Sequence, residues 1–120
     1  MIDAGVRVRP LVSLAKTIRS KNAGVDKITF DVIFQDKAAY DVVRRSRVLS
    51  REAVCKIYGI SDSRISDHVE FEPGLAIKFT IYRKAPSGSV GDSDIFGSQQ
   101  YGPLLDIEVP IDQEFVNENR

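Results

Sequence analysis

The chain has 120 residues, 42% hydrophobic and 28% charged, the balance of one ordinary globular domain that buries roughly two thirds of its unfolded surface. Seventeen basic and seventeen acidic residues cancel, which argues against a dedicated nucleic-acid binder, because neutralising phosphates leaves a basic excess or a basic face. No run is apolar enough for a signal peptide or membrane span, and the single Cys55 excludes an internal disulfide, so a cytoplasmic protein is expected.

Residues 1–10 read as an N-terminal extension whose arginines and Pro10 suit the protection of a sheet edge. In "LVSLAKTIRS", Leu11, Leu14, Ala15 and Ile18 have helical spacing, yet Val12, Leu14 and Ile18 also suit a strand interrupted at Lys16. The turn-like "KNAGVDK" that follows leads into a clear strand, so residues 11–19 are assigned as the first arm of a hairpin. "KITFDVIFQ" alternates Ile28, Phe30, Val32 and Phe34 with polar neighbours, the period of a sheet with one buried face. Asp36 then caps a helix over "KAAYDVVRRSR", with Tyr40 and Val43 on one side and arginines in the last turn. Ser50 caps a second, "REAVCKIYG", striped by Val54, Ile57 and Tyr58 and closed by Gly59.

"HVEFE" opens a strand that passes Pro73-Gly74, taken as a bulge, and continues through "LAIKFTIYR" with Leu75, Ile77, Phe79 and Ile81 on one face. A final strand, "LLDIEVP", directs Leu105, Ile107 and Val109 one way and Asp106 and Glu108 the other. The order is ββααββ. It predicts an α+β two-layer sandwich, a mostly antiparallel four-stranded sheet covered by two helices, as a single domain over 11–111 with a loose C-terminal tail at 112–120.

Between the last two strands, residues 84–103 hold four of the eight glycines, and loops this long in compact domains are usually functional or disordered. If each element crosses the domain once, this loop starts at the edge where Arg19, Ser20, Lys21 and Asn22 turn. The expected ligand site is therefore Arg19, Ser20, Lys21 and Asn22 facing Asp92, Asp94, Gln99 and Gln100. The cations suit a carboxylate or phosphate, while the acids and amides orient a hydroxyl or amine. An equally simple reading pairs Arg19 and Lys21 with Asp92 or Asp94 to pin the loop.

No metal or cofactor is expected. Asp92 and Asp94 lack a complete ligand set, and "GSVGDSDIFG" lacks the lysine and hydroxyl residue of a phosphate loop. Cys55 has no histidine nearby in sequence and reads as a packing thiol. His68, the only histidine, reads as a surface residue or one capping a neighbour.

"LAKTIRSKNAG", "TFDVIF", "IKFTIYR", "GDSDIFGSQQ" and "LLDIEVP" together resemble the domain-of-unknown-function 4387 family over about residues 11–111. Arg19, Ser20 and Leu104–Val109 are also similar to the C-terminal ferredoxin-like domain of acyclic-terpene-utilisation (AtuA-like) proteins. Asn22 and Ala23 depart from the acid- and glycine-rich turn of those domains. The second resemblance implies a neighbour or detached portion of enzymes acting on CoA-linked branched acids. The function expected is thus an accessory or ligand-binding subunit of a larger AtuA-like partner, with a small carboxylate or acyl-CoA as ligand. The competing reading is a stand-alone lyase or hydratase of small carboxylic acids, with Asp92 or Asp94 as base. No nucleic-acid or membrane partner is expected, and open sheet edges allow a homodimer.

Overall fold

The structure is a computed structural model and describes residues 7–24, 26–83 and 101–118. Within these, β1 (Arg7–Pro10) leads directly into a single helical turn, α1 (Leu11–Leu14). β2 (Ala15–Asn22) and β3 (Lys27–Phe34) form an antiparallel hairpin. Two helices follow, α2 (Lys37–Ser46) and α3 (Arg51–Tyr58), and then a second hairpin, β4 (Ile65–Phe71) and β5 (Ala76–Tyr82). β3 and β5 also pair, so the antiparallel four-stranded sheet has the order β2-β3-β5-β4. β6 (Glu108–Ile111) pairs with β1 in a separate ribbon, and α4 (Gln113–Glu118) follows it.

The α+β sandwich is built as the alternation requires. Ile28, Phe30, Val32 and Phe34 of β3 are buried beside Ile77, Phe79 and Ile81 of β5. Phe30 stacks on Phe79 at 4.9 Å between ring centroids, Tyr58 of α3 tilts onto Phe30 at 5.4 Å, and Tyr40 of α2 meets Phe34 edge-on. Each fully buried aromatic or branched side chain in this layer contributes about 1.5–3 kcal/mol. The helix ends also follow the sequence: Asp36 accepts from the Ala39 N–H, Ser50 accepts from the Ala53 N–H, and Gly59 takes the left-handed cap at φ 64°.

Three elements differ from expectation. Residues 11–14 are helical because Leu11 and Leu14, three apart, both reach the core, so the strand starts at Ala15 and runs on to Asn22. Pro73-Gly74 makes a hairpin, not a bulge: Glu72–Gly74 form a 3-10 turn, and Leu75 at φ 51° donates its N–H to the Glu72 carbonyl. An added Cβ on Gly74 would stand 2.8 Å from the Phe71 ring, which would have to shift to admit it. "LLDIEVP" supplies no strand to the main sheet. Gly102–Asp106 form a 3-10 helix that buries Leu104 and leaves Leu105 41% exposed, and only Glu108–Ile111 are extended.

Residues 113–118, expected to be loosely held, are helical, with Phe115 buried and the Arg9 guanidinium 5.7 Å from its ring centroid. Arg45 of α2 ties this helix down by donating twice to Asp112, at 2.7 and 3.0 Å, while Asp112 accepts the Phe115 N–H. The Arg45 hydrogen bond lowers the Asp112 pKa. Its stabilising contribution is therefore complete above the ordinary carboxylate range and is lost as pH falls through the depressed value. Acid titration by NMR should release the amides of residues 113–118 in that window, and Arg45→Gln should move the release to higher pH. Identical titrations of the two proteins would remove this anchor.

The end of β5 is held by a charge taken wholly out of water. Arg64, fully buried, donates from Nε and Nη2 to the Tyr82 carbonyl at 3.0 and 2.8 Å, and from Nη2 to the Arg83 carbonyl at 2.9 Å. Removing it leaves these acceptors buried without their charged donor. Arg64→Leu should lower unfolding stability in urea by about 3 kcal/mol or more; a loss under about 1 kcal/mol would show that the clamp is not structural.

Candidate functional site

A strand that buries one row of side chains presents the other row to the opposite face of the sheet. Since α2 and α3 pack on the Phe30 face, the second rows lie on the face those helices leave open. From β2 this row brings Thr17, Arg19 and Lys21, and from β3 Lys27, Thr29, Asp31 and Ile33. β5 adds Ala76, Lys78, Thr80 and Tyr82, and β4 adds Asp67, Val69 and Phe71. Register sets these side by side: Arg19, Asp31, Lys78 and Val69 form one row across the sheet, and Lys21, Thr29, Thr80 and Asp67 the next.

Asp31 is the centre of this face. Its residue is 1% exposed although no apolar partner calls for it. Oδ2 accepts from Arg19 Nε at 3.0 Å and lies 3.9 Å from Lys21 Nζ, while Oδ1 is buried with no hydrogen-bond donor among the described residues. Beside it the Thr29 and Thr80 hydroxyls share a hydrogen bond at 2.9 Å. Two lysines lie over aromatic rings, Lys27 over Tyr82 at 5.3 Å and Lys78 over Phe71 at 5.6 Å. Val69 and Phe71 remain 45% exposed at the β4 side. Chemically this is a shallow, cation-rich face around one recessed carboxyl group.

The expected Arg19–Asn22 group is divided by its own strand. Arg19 and Lys21 face the open side, while Ser20 opposite Phe30 and Asn22 opposite Ile28 face the helix side. They form the end of β2, and the turn itself falls at residues 23–26. Asp92, Asp94, Gln99 and Gln100 lie outside the described residues. The acid that the structure gives to Arg19 and Lys21 is Asp31. Sequence reasoning passed over Asp31 and Lys78, which stand at polar positions of the two clearest strands and meet only when β3 and β5 are paired.

The chain leaves β5 at the hairpin end of the sheet, where the Arg83 N–H donates to the Asp26 carbonyl at 2.7 Å. β5 thus ends at the edge where β2 turns into β3. Expectation reached the same edge by another count. The added β4–β5 hairpin contributes one crossing, and α2 with α3 together make one crossing rather than two. His68 fits the capping alternative: half-buried, it donates from Nε2 to the Leu49 carbonyl at 2.6 Å and stacks its ring on Phe79, bracing the link between α2 and α3. Cys55 is half-buried and packs against the core.

These features define an α+β domain with one helix-covered sheet face and one open, basic face. The chain belongs to the family described as Domain of unknown function (DUF4387), whose model matches residues 11–108. Comparisons with curated proteins and with solved structures gave no match. No helix among the described residues is long and apolar enough to cross a membrane.

A carboxylate buried with one oxygen unsatisfied does little for stability, and its two cations are themselves exposed. Asp31→Val suits a central strand and should leave urea stability within about 1 kcal/mol of the parent, or raise it. A loss of about 3 kcal/mol or more would make Asp31 a determinant of the fold instead.

Proposed function

We propose that this chain is an accessory, ligand-binding subunit: its open sheet face holds a small carboxylate or the acyl end of an acyl-CoA for a larger AtuA-like enzyme acting on such acids. The observation that carries this reading is the Arg19–Asp31–Lys78 row, with Lys21 beside it, on a face that neither α2 nor α3 covers. Arginine and lysine heads at that row can receive a carboxylate, with the arginine offering a planar pair of donors.

A site laid out across the strands of a sheet favours the accessory role over the stand-alone lyase. Binding sites usually enclose most of a small ligand's surface, and a ligand lying on an open sheet gains that enclosure from a second surface. The cavity of about 280 Å³ lined by Arg7, Ile111, Asp112, Gln113 and Val116 shares no residue with the row. The partner class comes from the sequence similarity at Arg19, Ser20 and Leu104–Val109.

The test is a turnover assay of a purified AtuA-like enzyme on branched acyl-CoA, with and without this chain. Added chain should raise the rate several-fold, and the Arg19→Ala/Lys21→Ala double variant should leave it near the rate of the enzyme alone. No effect of the wild-type chain would reject the accessory role, and turnover by the chain alone would establish the lyase alternative.

A further inference from the structure

The recessed acid says more about the ligand than its charge. Arg19 and Lys21 both engage Oδ2 of Asp31, which leaves Oδ1 as a buried acceptor without a donor among the described residues. Buried acceptors are nearly always satisfied, so an exception on a candidate binding face points to a donor that arrives with the ligand. The neighbouring cations can yield: the side chains of Arg19 and Lys21 are 52% and 61% exposed. Their heads can move aside without disturbing the paired backbone of β2 and β3.

The geometry points to a 2-hydroxy acid as the ligand class of this face, an inference that rests on the carboxylate reading above. Its carboxylate is received by the free donors of the Arg19 guanidinium, with Lys21 and Lys78 adding charge on either side of the row. Its hydroxyl, on the next carbon, donates to Asp31 Oδ1. An ammonium in place of the hydroxyl would also be a donor. It would, however, approach a carboxylate that Arg19 and Lys21 already pair with, so like-charge repulsion selects the neutral hydroxyl.

The test is a set of calorimetric titrations of the intact chain with butyrate, 2-hydroxybutyrate and 2-aminobutyrate at low ionic strength. 2-Hydroxybutyrate should bind on the order of tenfold more tightly than butyrate, and 2-aminobutyrate more weakly than 2-hydroxybutyrate. In Asp31→Val the ratio between 2-hydroxybutyrate and butyrate should fall to about one. Equal affinities in the wild-type chain overturn the hydroxyl assignment and leave the carboxylate reading standing. A preference that survives Asp31→Val, or tightest binding of 2-aminobutyrate, overturns it as well. Failure of all three acids to bind removes both readings. The wild-type comparison stands by itself if the variant does not fold.

Discussion

Among the described residues α2 and α3 pack on one face of the sheet, and that one-sided cover constrains the rest of the described fold. Each strand must offer apolar groups to α2 and α3 at every second position and something compatible with water at the positions between. Phe30 and Phe79 answer the first demand by stacking at 4.9 Å beneath Tyr58. Arg19, Lys21, Lys27 and Lys78 answer the second, since long basic side chains can lay their stems on a sheet while their heads stay wet. The open face is cationic as a result of the same alternation that builds the core.

Within that face Asp31 is the exception, a carboxyl group recessed to 1% exposure among groups that are themselves largely solvated. Buried ion pairs seldom add to stability, because desolvating the charges costs about as much as their attraction returns. Asp31 gains even less than usual, with only one oxygen engaged. Such a group is better understood by what it can hold than by what it stabilises. The contrast with Arg64 is instructive. That guanidinium is also fully buried, but its Nε and Nη2 donate to the main-chain carbonyls of Tyr82 and Arg83, so it serves to fix the end of β5.

The Arg64 clamp also fixes where β5 ends on the sheet. Arg64 holds the Tyr82 and Arg83 carbonyls, Asp26 receives the Arg83 N–H, and β5 therefore ends beside the β2–β3 turn. A pH-dependent contact at the other end of the chain, Arg45 with Asp112, holds α4 against α2 by the same kind of charge-assisted bond.

Much of this was legible in the sequence. The alternation of "KITFDVIF" and "AIKFTIY", the caps at Asp36 and Ser50 and the stop at Gly59 are local features, and local sterics and hydrogen bonding decide them. The α+β class follows from their order. What the sequence could not show is which polar positions become neighbours. Arg19, Asp31 and Lys78 are 12 and 47 residues apart along the chain, and only strand pairing sets them in one row. Likewise Leu11 and Leu14 fit helix or strand equally until the core claims both, and Pro73-Gly74 fits bulge or hairpin until β4 finds its place at the sheet edge. Periodicity assigns each residue to a face by itself, whereas register is a property of two strands at once and exists only in the folded chain.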